Sequence, residues 1–449
     1  MSLPTALNPS ATTTLLHASI QDRVIGVLVG SALGDTIGLY TEFLSAATSL
    51  STYPSRTFTL LPTPTPMKLD LHRASKEAGH WTDDTDHALL LLLAFLHTAK
   101  SLSPNDPPFP TQAALAARLR HWVSSGLRTL DTMPLGLGRL VGTVVATTGF
   151  DAEPARVARE YWERTGRAIA PNGSLMRTHP LGLMCLWQTE EVAFQLAADM
   201  SRVTHADPRC VVACVVGTGL VRALVRGEVG DESDVDAVLS RGKGWFLRGE
   251  GGELDEEEFQ KYAAAGSLEE LKLDEAVAIG YVYKALGAGV VLLRMAMRRM
   301  TEAGGGWLER DRLFEELVTE LIMCGGDADT NACFAGALLG AYLGYGALPA
   351  HWKHGMKHEA WFLSKAEALC QVLGLKGGQY DGHEDKDTHL DGGREPITQN
   401  EMECRWMLLQ QAVGLKMKEA ADEENASASK RKSGWSVSLP WKDKDKIKR

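Results

Sequence analysis

The strongest chemical signal in this sequence is acidic residues gathered at the entrances of two apolar helices. Thr82, Asp83, Asp84, Thr85 and Asp86 follow Trp81 and precede the apolar run 88–96; Asp327, Asp329 and Thr330 follow Gly325 and Gly326 and precede the apolar run 332–343. Asp and Thr at a helix start accept hydrogen bonds from free backbone N–H groups and face the positive end of the helix dipole. One such residue satisfies a cap. Each entrance here has more carboxylate than that, on a helix too apolar to lie at the surface. Two carboxylates about 4 Å apart repel by roughly 4 kcal/mol at an effective dielectric near 20, so a buried cluster of them ionises only with cations in between. The donors are all oxygens with no adjoining Cys/His set, so Mg²⁺, Mn²⁺ or Ca²⁺ is expected and Zn²⁺ is not.

Further segments add polar or pliable residues. In GSALGDTIGLYTE (30–42) the glycines permit close backbone approach and a break after the first helix, with Asp35 placed to cap and Glu42 to point inward. In PNGSLMR (171–177) Asn172, Gly173 and Ser174 form a turn whose backbone N–H groups can converge on an anion, and Arg177 orients that turn or approaches the charge. The loop MPLGLG (133–138) invites the same reading.

Positioning these groups falls to helices. From Asp22 onward, apolar residues at helical spacing and abundant Ala and Leu predict an all-α fold, with few alternating β-branched runs. Helices are expected over 22–33, 85–98, 111–125, 155–165, 189–200, 208–226, 273–300, 310–323 and 331–342, packed as a bundle. The Ser/Thr/Pro-rich stretch 50–74 reads as an irregular loop able to cover the site as a lid; the acidic, Gly-rich stretch 227–270 reads as a surface insertion. The expected organisation is a flexible leader at 1–21, one helical domain over 22–415 and a disordered mixed-charge tail at 416–449. The small-residue run 332–350 is about long enough for a membrane crossing, but Gly344 and Gly346 should end its helix early, so a buried helix is expected.

The 449 residues, 44% hydrophobic and 23% charged, exclude a mostly disordered, collagenous or coiled-coil chain. A net charge of -10 excludes a global cationic surface, so no direct nucleic-acid binding and no membrane association are expected. The seven cysteines are scattered without a CxxC pair, which suits a reducing compartment. With no basic and apolar leader at the N-terminus, cytosol or nucleus is the expected location.

Over residues 23–346 the chain resembles the ADP-ribosylglycohydrolases, the group that includes ADP-ribosyl-arginine and ADP-ribosyl-serine hydrolases. The likeness rests on GVLVGSALGDTIGLYTEF, WTDDT, PNGSLMR, THADP, GYVYKAL and GGDADTNACFAGALLGA, in that order. It implies a single compact multi-helix domain with a central di-metal cleft, and two Mg²⁺ ions, replaceable by Mn²⁺, on Thr82, Asp83, Asp84, Asp327, Asp329 and Thr330. It further implies Glu42 as the acid/base, Asp84 as a second catalytic candidate, and Asn172, Gly173, Ser174 and His205 as substrate contacts. The implied partner is an ADP-ribosylated protein or a small ADP-ribosyl ester, cleaved through an oxocarbenium-like transition state. Asp86 and His87 depart from the pattern, where amide, sulfur or small apolar side chains are expected, and they add ionisable groups near the site. Trp81 either packs beside the metal site or lines the sugar pocket.

Two other readings fit the aspartate motifs. An all-α Mg²⁺-dependent prenyl-diphosphate enzyme also sets aspartates on facing helices, but its first motif wants DDxxD where this chain has Asp83-Asp84-Thr85-Asp86-His87. A module that binds ADP-ribose without turning it over is the other; the intact acidic set argues against it.

Overall fold

The helical periodicity of the sequence is realised as α-helices separated by irregular stretches, such as 53–82. The computed structural model describes residues 9–99, 109–249, 254–304 and 306–433; among them no strand forms, and only isolated bridges such as Ser45 with Gly325 and Pro171 with Tyr281 occur. The chain divides into two units, Met1–Pro66 with Ala78–Pro396, and Met67–Glu77 with Ile397–Arg449. The larger is built on α1 (Pro9–Gly38), α2 (Asp83–Thr98), α3 (Glu190–Arg202), α4 (Pro208–Arg226), α5 (Glu232–Gly249), α6 (Glu256–Ala263), α7 (Val282–Glu302), α8 (Trp307–Ile322) and α9 (Ala328–Leu343); the smaller carries α10 (Gln399–Ser433).

At the centre lies α9, packed against α1, α4, α7 and α8 and buried along nearly its whole length. A helix surrounded on all sides is apolar all round, which is why 332–350 reads like a membrane span. Its helix ends at Gly344, as the glycines predict. Among the described residues α4 is long and apolar enough to cross a membrane, and 89% of that stretch is buried inside the protein.

Gly26, Gly30, Gly34 and Gly38 recur every fourth residue of α1 and so share one face. A Cβ on Gly34 would stand 1.9 Å from the Ala332 carbonyl oxygen, and one on Gly340 1.9 Å from that of Gly26, so the α1 and α9 backbones are in contact. The close approach read from the sequence is present; the break after residue 33 is not. α1 continues to Gly38 because these glycines serve the helix contact rather than a turn.

Residues 9–21, expected as a flexible leader, are helical as the start of α1, and 416–433, expected as a disordered tail, are helical within α10; residues 1–8 and 434–449 lie outside the described residues. Once a helix is nucleated, each added residue gains one hydrogen bond for one residue fixed, so a polar stretch can continue a helix already begun. The helix expected over 273–300 begins only at Val282, because the Pro171–Tyr281 bridge draws the preceding residues out of helical geometry. Within the expected surface insertion 227–270, α5 buries Val235, Val238, Leu239, Gly242 and Phe246 against the body, an apolar stripe at helical spacing hidden among charges. The stretch 50–66 is anchored by Phe58, which packs on Tyr40 and Tyr53 and accepts a hydrogen bond from Trp352 Nε1 at 2.8 Å on its backbone oxygen. None of the residues 50–66 lines the main cavity.

Candidate functional site

Three loop contacts bring the acidic residues together. The first is a cap supplied by another helix: the Asp35 carboxylate on α1 accepts the Thr82 N–H at 2.9 Å, the Thr85 N–H at 3.0 Å and the Thr85 hydroxyl at 2.6 Å, which fixes the entrance of α2 against α1. Thr82 caps the same entrance in its own chain, accepting from the Asp84 N–H. The second is the glycine pair before Asp327. Gly325 (φ 68) and Gly326 (φ 75) adopt the left-handed region, and Cβ atoms there would fall 2.1 Å from the Leu44 and Leu273 carbonyl oxygens. Phe43 N–H donates to Gly326 O at 2.6 Å and Gly326 N–H to Leu44 O at 2.9 Å, so Glu42 is carried to the start of α9. The third is the Pro171–Tyr281 bridge, from which Asn172 Nδ2 donates to Asp327 Oδ2 at 2.9 Å.

The result is a compact acidic group. Carboxylate oxygens of Glu42, Asp327 and Asp329 all lie within 4.8 Å of one another. Thr330 stands beside both Asp84 and Asp327, where the two acidic motifs meet. Burial pushes Asp84 and Asp329 well above the usual carboxylate range; Asp35, Asp83 and Asp327 repel the first, and Glu42, Asp84 and Asp327 the second. Asp327 is raised by burial and by Glu42. Asp35 is pushed up to about 6 by burial, against the pull of its four hydrogen bonds from Thr85 and Thr82.

Oδ1 of Asp84 and Oδ1 of Asp329 are buried without a hydrogen-bond donor among the described residues. Buried oxygens of this kind call for a partner, and a set of carboxylate and hydroxyl oxygens fits a hard divalent cation. Asp327, at the N-cap position of α9, makes no side-chain capping bond and keeps its carboxylate for the cluster.

A cavity of about 840 Å³ opens over this cluster, a size suited to a nucleotide-like ligand. Glu42, Asp83, Asp84, Asp327, Asp329 and Thr330 line it, as do Asn172, Gly173 and His205. Gly136 of the MPLGLG loop lines it too, with a hypothetical Cβ 2.2 Å from Asp83 Oδ1. Two expected residues do not line the cavity. Thr82 is buried behind the surface, with Oγ1 donating to Asp84 Oδ2 at 3.2 Å. Ser174 does not reach the cavity, because its hydroxyl is engaged by Ser201 at 3.1 Å and Cys214 at 3.3 Å inside the core.

Asp86 and His87 are packing residues. Asp86 accepts Trp81 Nε1 at 2.8 Å and Trp122 Nε1 at 2.9 Å, and the His87 ring stands edge-on to Trp122 at 4.5 Å. Neither lines the cavity, which removes Asp86 from any DDxxD-like ligand set. Trp81 packs on His358 and Phe362. Sequence reading missed Arg209, Glu258, Tyr262 and Tyr281, which also line the cavity. Glu258 and Tyr262 come from α6, inside the stretch read as a surface insertion; their spacing of four residues was the available signal.

The family model for ADP-ribosylglycohydrolase matches residues 16–436. Among curated relatives, an ADP-ribosylarginine hydrolase of Pseudomonas putida, Tri1, is 23% identical over 82% of this chain and 82% of its own length. The ADP-ribosylhydrolase ARH3 of Danio rerio is 25% identical over 42% of this chain and 53% of its own. A solved structure titled ADP-ribosylglycohydrolase-related protein complex shares the fold at a TM-score of 0.50 and 23% identity, covering 79% of this chain and 99% of that one.

Proposed function

The chain belongs to the ADP-ribosylglycohydrolase family, hydrolases acting on ADP-ribosyl linkages, and from that premise we propose that it cleaves the bond joining ADP-ribose to a protein side chain or a small acyl group in a Mg²⁺-dependent reaction. The observation that carries this reading is the convergence of Glu42, Asp327 and Asp329 within 4.8 Å beneath the cavity, beside the unpaired buried oxygens of Asp84 and Asp329.

Thr82, Asp83, Asp84, Asp327, Asp329 and Thr330 are the residues we assign to two Mg²⁺ ions, with Mn²⁺ as a substitute. Bound there, the ions would neutralise the carboxylates and supply positive charge to the sugar hydroxyls. Bond cleavage at the anomeric carbon builds positive charge on the ribose ring, which nearby carboxylates stabilise. Glu42, on a loop held by the Phe43–Gly326 hydrogen bond, is our first assignment for the group that moves a proton between water and the leaving atom. Asp84 is the second. Asn172, Gly173 and His205 face the substrate, and Asn172 also restrains Asp327 through its amide.

Purified protein with Mg²⁺ should release ADP-ribose from at least one of ADP-ribosyl-arginine, ADP-ribosyl-serine and O-acetyl-ADP-ribose, and a chelator should stop the release. Tight binding of ADP-ribose with no release from any of the three would replace hydrolysis with recognition. Turnover that persists after metal is stripped would remove the cation from the mechanism.

A further inference from the structure

Arg177 is 1% exposed, and no carboxylate pairs with it among the described residues. Its Nη2 donates to Met200 O at 3.3 Å, near the end of α3, and to Thr204 Oγ1 at 2.8 Å. Thr204, also 1% exposed, has His205 Nδ1 as its other side-chain neighbour, at 2.7 Å.

This short chain has one consistent set of hydrogens. A guanidinium only donates, so Thr204 Oγ1 accepts from Arg177. If Nδ1 also carried a hydrogen, Thr204 Oγ1 would accept twice and its own hydrogen would be buried without an acceptor, the costly arrangement for a polar group. Thr204 therefore donates to Nδ1, and the ring hydrogen of a neutral His205 resides on Nε2.

We propose that Arg177 and Thr204 are positioning residues that lock His205 as a neutral imidazole with Nε2–H presented to the cavity, where it donates to an oxygen acceptor of the substrate. Room for that acceptor exists because Gly173 has no side chain: a Cβ there would stand 3.1 Å from Nε2. His205 is 2% exposed yet lines the cavity, and Nε2 has no hydrogen-bond partner among the described residues. Burial, together with the charge of Arg177 and the neighbouring His87, holds the ring well below the usual histidine range and so keeps it uncharged. A donor locked in this way selects phosphate, hydroxyl or ether oxygen and rejects a group that can only donate. That the acceptor belongs to an ADP-ribosyl group rests on the function proposed above; the tautomer does not.

Nitrogen-15 NMR of the full chain labelled at histidine tests the lock directly, with the His205 signals identified by their loss in His205→Ala. The wild type should show a neutral ring protonated at Nε2. Thr204→Val, which removes the hydroxyl, should move the ring toward the Nδ1–H form or a mixture, and Thr204→Ser should restore the wild-type pattern. A ring protonated at Nδ1 or at both nitrogens in the wild type at neutral pH would overturn the proposal, as would a Thr204→Val spectrum identical to the wild type. In turnover assays KM should rise about tenfold in Thr204→Val with kcat changed far less, and return in Thr204→Ser. Gly173→Ala, which sets a methyl group against Nε2 without touching the lock, should raise KM and leave the tautomer as it is; an unchanged KM would exclude Nε2 as the substrate donor. Absence of turnover on every ADP-ribosyl substrate would refute the proposed function while the spectra still decide the lock.

Discussion

Asp329 is a carboxylate that folding makes expensive: it is buried, its Oδ1 has no donor among the described residues, and Glu42, Asp84 and Asp327 all repel its charge. A group held in that state marks a candidate functional position. Asp329→Asn should lower metal-dependent kcat/KM by more than about a hundredfold, since even outer-shell changes at metal sites cost about 10- to 100-fold. Near-normal steady-state kinetics in a correctly folded Asp329→Asn protein would dismiss this residue as a ligand. His179 illustrates burial with a different consequence. Its Nδ1 lies 3.4 Å from Ser31 Oγ, and burial depresses the ring to about 3 from its ordinary 6.5. Above pH 6.5 folded and unfolded rings are both neutral and His179 has no effect on the pH dependence of stability. Between 6.5 and 3 the unfolded ring takes up a proton that the folded ring refuses, so stability falls as pH falls. The unfolding free energy of the wild type should therefore lose about 1.4 kcal/mol per pH unit relative to His179→Gln in that window, measured by denaturant titration. Parallel pH profiles for the two proteins would contradict the buried neutral ring.

Helices deliver these residues through contacts that local sequence only partly announces. The glycine stripe of α1 was legible, because a four-residue spacing marks one helix face; its partner stripe at Gly336 and Gly340 was hidden inside a run that is small and apolar throughout. Gly34→Ala forces a methyl group into the Ala332 carbonyl, and backbone cannot rotate away as a side chain can. It should cost about 3 kcal/mol of stability and reduce turnover by shifting α1 against α9. Gly377→Ala, with nothing within 4 Å, should change stability by less than about 0.5 kcal/mol. Equal unfolding midpoints for these two variants would show that the α1–α9 contact is looser than described. Asp35 was read as able to cap, and it caps α2; which helix end it serves was invisible without knowing which one lies beside it.

Over the larger unit, the acidic cluster joins segments far apart in sequence: the loop after α1, the start of α2 and the start of α9. A cation shared among them would hold those elements together, so millimolar Mg²⁺ should raise the thermal midpoint by several degrees and a chelator should reverse it. That shift should vanish in Asp329→Asn; a midpoint indifferent to Mg²⁺ in the wild type would argue against a resident ion. Sequence alone determined that the chain is helical and that its donors are hard oxygens, because periodicity and residue chemistry are local properties. It also marked Asp83, Asp84, Asp327, Asp329 and Thr330, since surplus acid at an apolar helix start is a local anomaly, while Glu42 rested on the Gly-rich segment 30–42 and the family resemblance. Only the tertiary structure decided that Asp86 serves two indoles, that Ser174 turns into the core and that α6 supplies Glu258 and Tyr262 to the cavity wall. Those outcomes depend on which surfaces meet when helices pack, and that choice is made by the shape of the whole core rather than by any short stretch of chain.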